Sequence, residues 1–156
     1  MNDMATASLH KQVVEIWDRD GSGVLAVQLP DLLALLPEET QHYTWTILRF
    51  EATARPGSSP SLRELEKQVS RSNGGVQFDW ARLVSLAMSI DQLLDGTVVG
   101  QGSSVAISRQ MSKEDLAARC DYILEVCDST FGRIVTDSGL FLSRIRSRFH
   151  DVREPG

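Results

Sequence analysis

The sequence has few of the residues from which catalytic, metal and disulfide sites are usually built. It contains two cysteines and three histidines, and it has no C-x-x-C, H-x-x-x-H, H-E-x-x-H or G-x-S-x-G pattern. Metalloprotease, zinc-finger and α/β-hydrolase chemistry therefore have no motif here. Because Cys120 and Cys127 have six residues between them in apolar segments, we expect free buried thiols rather than a disulfide or redox pair.

Long apolar runs are also missing. No stretch approaches the roughly 20 apolar residues of a membrane span, and the polar start lacks the basic and apolar regions of a secretory leader. We expect a cytoplasmic protein that does not contact membranes. The apolar fraction of 42% and the charged fraction of 24% are ordinary for globular proteins. The length predicts one domain over residues 1–156 that folds without metals or disulfides.

Negative charge is concentrated near the start of the chain. The first 48 residues hold seven acids and two bases, whereas the remaining 108 hold fourteen of each, so the whole net charge of −5 lies in the first third. An acidic face attracts basic proteins and repels nucleic acid, although a merely solubilising surface is the alternative. Tryptophan is enriched at interface hot spots. The candidate partner contacts are Asp18, Asp20, Asp31, Glu38, Glu39 and Trp45.

The segment from Asp18 to Leu25 resembles a degenerate EF-hand loop. Such a loop takes oxygen ligands from positions 1, 3 and 5, a glycine at 6 and a bidentate glutamate at 12. Asp18, Asp20 and Ser22 occupy the three ligand positions, but Leu29 stands where the glutamate is needed. We therefore expect a tight polar turn. A divalent-cation-responsive domain that uses Asp18, Asp20 and Ser22 is the alternative.

Two segments predict β-hairpins, and each is followed by an apolar helical stretch. Residues 13–17 and 24–27 flank one Gly-containing turn, and residues 123–128 and 132–136 flank another. Apolar residues at a spacing of four keep a helix open for the first of these strands. A further strand is predicted over residues 43–48. The pattern as a whole predicts an α+β domain in which β-hairpins pack against several short helices.

Capping residues and apolar periodicity mark the helices. We predict helices beginning at Ser61, at Asp79 and at Ser112, and a C-terminal helix whose buried stripe includes Leu142 and Ile145. The connecting features are a loop at 55–60, a short strand with a tight turn over 93–100, and a flexible break at 100–104.

Catalysis finds no motif to support it. His10, His42 and His150 stand apart from one another, and Cys127 lies between apolar neighbours, where a cysteine is usually part of the core. We assign no catalytic residue and expect no cofactor. An enzyme without a recognisable motif stays open as a third alternative, and it predicts a concave pocket lined by perturbed titratable groups.

A set of short segments in the second half of the chain carries a further signal: Phe78-Asp79-Trp80, Leu83-Val84, Ile90-Asp91-Gln92, Asp95-Gly96, Gly100, Asp128-Ser129-Thr130 and Phe149-His150-Asp151-Val152. Through these segments, about half of the chain resembles small uncharacterised bacterial proteins, some of which look like immunity proteins of polymorphic toxin systems. The resemblance implies a cytosolic, non-enzymatic inhibitor that binds a toxin through shape and charge complementarity. The acidic first third would then contact a basic toxin such as a nuclease.

Overall fold

The computed structural model describes residues 11–56 and 61–155, which form one α+β domain. His10 and most of the predicted loop at 55–60 lie outside the described residues. The strands are β1 (Gln12–Ile16), β2 (Thr44–Ala54), β3 (Val76–Phe78), β4 (Ile90–Gln101), β5 (Tyr122–Cys127), β6 (Phe131–Thr136) and β7 (Val152–Arg153). The helices are α1 (Leu29–Leu35), a 3₁₀ helix (Glu38–His42), α2 (Ser61–Arg71), α3 (Trp80–Ser89), α4 (Lys113–Arg119) and α5 (Gly139–Arg148).

All seven strands join one antiparallel sheet in the order β3-β2-β4-β5-β6-β1-β7. Successive side chains of a strand point to opposite faces. On one face, buried strand residues such as Leu124 and Ile134 form a large core with α1, α2, α3 and α5. On the other face, a smaller cluster that includes Ile123 and Val135 packs against Leu116 of α4. One face is therefore well covered, and the other is covered only in part.

The second predicted hairpin is confirmed. In the first, the strand predicted over residues 13–17 is confirmed as β1, but its pairing with residues 24–27 is wrong. β5 pairs with β6 from Tyr122↔Thr136 to Cys127↔Phe131. β1, in contrast, pairs with β6 and β7, while residues 24–27 form no strand and make a single bridge, Leu25 to Arg19. The reason is that Leu25 and Val27 are buried on the way into α1, so this segment fills the core instead of extending the sheet.

The predicted strand over residues 93–100 is much longer in the structure. β4 runs through Asp95-Gly96 without a turn. Gly100 and Gln101 are buried within it, which corrects the start of the break predicted at 100–104, whereas residues 102–104 are exposed and lie outside any strand or helix. The Gln101 side chain donates to the carbonyls of Val105 and Arg119 at 3.0 Å. These bonds hold the end of β4 to the segment that leads into α4.

Local signals at the helix starts are confirmed. The Asp79 carboxylate accepts from the Arg82 N–H at 2.8 Å, and the Ser112 hydroxyl accepts from the Asp115 N–H at 3.1 Å. Side chains supply the partners that the first turn of a helix lacks. The helix that begins after Asp79 ends at Ser89, and Ile90 opens β4 as a buried residue. Across the described parts of the chain, we find no helix with both the length and the apolar character needed to cross a bilayer.

Candidate functional site

The acids of the first third do not share one surface. Arg19 donates to the carbonyls of Ser129 and Thr130, so the neighbouring acids Asp18 and Asp20 lie at the β5–β6 turn, near the end of β5. The 3₁₀ helix that carries Glu39 ends beside Tyr43, whose ring lies 6.0 Å from that of Tyr122 at the start of β5. Five steps along a strand span about 16 Å. The predicted acidic face is therefore divided between two ends of the sheet.

Asp18 ties the C-terminal segment to the sheet. Its carboxylate accepts from the backbone N–H groups of His150 and Asp151, the shorter bonds being 2.9 and 2.7 Å. Next to these bonds, the backbone N–H of Trp17 donates to the Asp151 carbonyl at 2.8 Å. The oxygens that an EF-hand would offer to calcium are here occupied by backbone donors.

Asp20 forms a tight polar turn of its own. Its Oδ1 accepts from the Ser22 N–H, the Ser22 hydroxyl and the Val24 N–H at 2.8–3.0 Å. These bonds favour the ionised form, led by the bond from the Ser22 hydroxyl, and lower the pKa of the Asp20 carboxyl. Gly23 adopts φ +83°, which closes the turn. Among the residues that the structure describes, no group of three or more His, Cys, Asp or Glu side chains is arranged to hold a metal ion.

Asp31 has a structural role at the start of α1. Its carboxylate accepts from the Gln28 N–H at 3.1 Å, which completes a capping box, and it lies 3.5 Å from the guanidinium of Arg148. Both contacts satisfy the Asp31 carboxylate within the chain, which leaves less of its negative charge for a partner.

Trp45 is not a partner contact, which corrects that prediction. Its side chain is 0% exposed, and its Nε1 donates to the Thr40 carbonyl at 2.9 Å. β2 lies inside the sheet between β3 and β4, and Trp45 points toward the helix-covered face. Its large ring is therefore part of the core and supports the 3₁₀ helix from beneath.

The remaining predicted acids, Glu38 and Glu39, are exposed on that 3₁₀ helix. The fold brings two further carboxylates to the same end of the sheet, Asp121 and Asp137. Because Tyr122 pairs with Thr136, the residue before β5 lies beside the residue after β6. We call the cluster formed by Glu38, Glu39, Asp121, Asp137 and the half-buried Tyr43 the acidic end.

Tyr43 lies within the acidic end and responds to its charge. Its ring is 6.0 Å from that of Tyr122, and it packs over Gly102, whose N–H donates to the Asp121 carboxylate at 2.7 Å. Partial burial raises the pKa of the Tyr43 phenol, and the charges of Asp121, Glu39 and Asp137 raise it further. The same three acids act in the same direction on the pKa of Tyr122. Three carboxylates therefore act together on two neighbouring phenols.

The charge of the acidic end can be measured without a partner. We expect Glu39→Gln to lower the Tyr43 pKa toward its ordinary value of about 10, because one of the charges that oppose phenolate formation is gone. Since Tyr43 and Tyr122 are the only tyrosines, phenolate absorbance in a Tyr122→Phe background reports on Tyr43 alone. Glu64→Gln, an exposed acid on α2, is the control and should leave the titration unchanged. If Glu39→Gln left the Tyr43 titration curve of the Tyr122→Phe protein unchanged, Glu39 would not belong to the charge cluster around Tyr43.

The two thiols carry no sign of activation. Burial raises the pKa of Cys120 to about 12 and also raises the pKa of Cys127. Both cysteines are free. A thiol becomes a nucleophile as its pKa falls, and the pKa of each of these thiols is shifted in the opposite direction.

Sequence reasoning missed Tyr43, Asp121 and Asp137 as members of a site. The signal that finds the two aspartates is the β5–β6 hairpin, because its register sets residues 121 and 137 side by side. Comparisons with protein-family models, with curated proteins and with solved structures returned no match to this chain. The chemistry of the acidic end is thus the basis for assigning a function.

Proposed function

We propose that this protein is a non-enzymatic protein-binding module that docks a basic partner against its acidic end. The observation that carries the proposal is the convergence of Glu39, Asp121 and Asp137 around the half-buried ring of Tyr43, with the exposed Glu38 next to Glu39 on the 3₁₀ helix. Carboxylates attract lysine and arginine side chains and speed their encounter, and an adjacent aromatic ring offers a cation–π contact. A surface of this kind recognises a cationic protein.

Hydrogen bonds to buried and backbone groups hold the acidic end in place. The Thr40 hydroxyl donates to the Pro37 carbonyl at 2.6 Å, and Trp45 donates to the Thr40 carbonyl at 2.9 Å. The carboxylate of Asp121 is held by the Gly102 N–H. A surface that is already ordered loses less conformational entropy on binding. These bonds support a rigid docking surface rather than a loop that must fold around its partner.

The partner class follows from the charge of the site together with the sequence resemblance. An immunity-type inhibitor of a basic bacterial toxin, such as a nuclease, needs an acidic surface that competes for the toxin's cationic one. Glu38, Glu39 and their neighbours supply that surface. Asp18, Asp20 and Asp31 contribute less to this proposal, because Asp18 and Asp20 lie at the opposite end of β5 and Asp31 is paired with Arg148.

The experiment is affinity capture from lysate of the native cell, with the purified chain as bait and mass spectrometry to identify what is retained. We expect one basic protein, recovered in roughly stoichiometric amount at low salt and lost at high salt, because exposed charges are screened within about 8–10 Å. Recovery that is insensitive to salt, or recovery of no protein, would contradict the proposal.

A further inference from the structure

A hollow of about 310 Å³ lies on the partly covered face of the sheet, between α4 and strands β1, β5 and β6. Ligand pockets begin at about this volume. Its apolar lining comes from the strand residues Val13, Ile123 and Val135 and from Leu116 and Ala117 of α4. The acidic end plays no part in it, since none of the acidic-end residues lines the hollow.

Charged side chains surround this apolar lining with a cationic excess. Lys11, Lys113 and Arg133 face two carboxylates, Glu114 and Glu125. Glu125 is already engaged, because its Oε1 accepts from Arg133 at 2.8 Å and its Oε2 accepts from the Thr97 hydroxyl at 2.8 Å. In the described parts of the chain, neither lysine forms an ion pair.

Arg133 is largely enclosed. Its side chain is 18% exposed, and that of Glu125 is 13% exposed. Only one nitrogen of its guanidinium has a partner among the described residues, although a guanidinium carries five N–H donors. Such a group, at the edge of an apolar hollow, is suited to a second carboxylate, which it can bind in a bidentate manner.

We propose that this hollow binds a small amphipathic organic anion. Its carboxylate lies among Lys11, Lys113 and Arg133, and its short apolar chain lies along Val13, Ile123, Val135 and Leu116. The apolar lining disfavours a fully hydrated anion such as inorganic phosphate, whose desolvation it does not repay. The cations in turn favour a carboxylate over the neutral alcohol of the same chain length. This site lies on the partly covered face of the sheet, and no acidic-end residue lines it.

The test compares sodium octanoate with octanol and with sodium acetate, using calorimetric titration of the full chain. We expect saturable binding of octanoate and weaker binding of octanol and acetate, because octanol lacks the carboxylate and acetate lacks the apolar chain. Lys113→Gln should weaken octanoate binding about three- to fivefold, which corresponds to the loss of one partly exposed ion pair, and Glu114→Gln should strengthen it. Lys67→Gln, on α2, is the charge-matched control and should have no effect.

A second variant tests the apolar half of the hollow. Ala117→Leu suits a helix and fills space above the strands, so it should abolish octanoate binding while the chain stays folded, as judged by circular dichroism. Equal affinity for octanoate and octanol would overturn the proposal. It would also be overturned by octanoate binding that is unchanged in both Lys113→Gln and Ala117→Leu, or by the absence of saturable binding.

Discussion

Replacing Trp45 with alanine is expected to lower the free energy of unfolding by about 3–5 kcal/mol, the usual cost of deleting a large buried aromatic side chain. The Trp45 ring is 0% exposed. Its centroid lies 6.0–6.4 Å from the rings of Tyr43, Trp80 and Tyr122. Urea denaturation followed by circular dichroism measures the change.

Trp45→Phe separates packing from hydrogen bonding. It retains an aromatic ring but leaves the Thr40 carbonyl without the indole donor that reaches it at 2.9 Å, so we expect an intermediate loss of stability. Trp17→Ala is the control, because Trp17 is only partly buried and stacks on Phe131 near the sheet edge. A Trp45→Ala loss smaller than that of Trp17→Ala would contradict the central place given to Trp45.

Gly75→Ala is expected to destabilise the protein by about 2–4 kcal/mol, whereas Gly74→Ala should cost under about 1 kcal/mol. A Cβ at position 75 would lie 2.6 Å from the Ile47 carbonyl oxygen and 2.8 Å from the Thr46 methyl, and the residue has φ +79°. At position 74 the nearest atom is the Ile107 carbonyl oxygen at 3.6 Å. The difference arises because the turn brings the backbone of Gly75 against β2.

The comparison of these adjacent glycines is made by the same urea titration. Both substitutions add one methyl group to the same turn, so differences in the unfolded chain largely cancel. If Gly74→Ala cost as much as Gly75→Ala, close backbone approach at Gly75 would not be the cause.

Elements that depend on neighbouring residues could be predicted from the sequence. Asp79 and Ser112 cap helices through bonds to backbone three residues away, and β5 and β6 meet across a short turn. β1 could not be placed in this way, because its partners, β6 and β7, follow more than a hundred residues later. Strand pairing over that distance leaves no periodic signal near β1.

The candidate site, too, could be predicted from the sequence only in part. An excess of acids in the first third is visible in the sequence, but the fold distributes them. The Asp18 carboxylate accepts hydrogen bonds from the backbone N–H groups of His150 and Asp151. Glu38 and Glu39, in contrast, lie near Asp121 and Asp137, which come from the later, overall neutral part of the chain. Charge counted along a chain therefore indicates that an acidic surface exists, but it does not identify its members.

The most direct test of the acidic end is to compare two baits of identical net charge in the capture experiment. One carries Glu38→Gln and Glu39→Gln, and the other carries Glu51→Gln and Glu64→Gln, exposed acids on β2 and α2. We expect the first bait to lose the salt-sensitive basic partner and the second to retain it as the unmodified chain does. Equal recovery by both baits would contradict the assignment of partner binding to the acidic end.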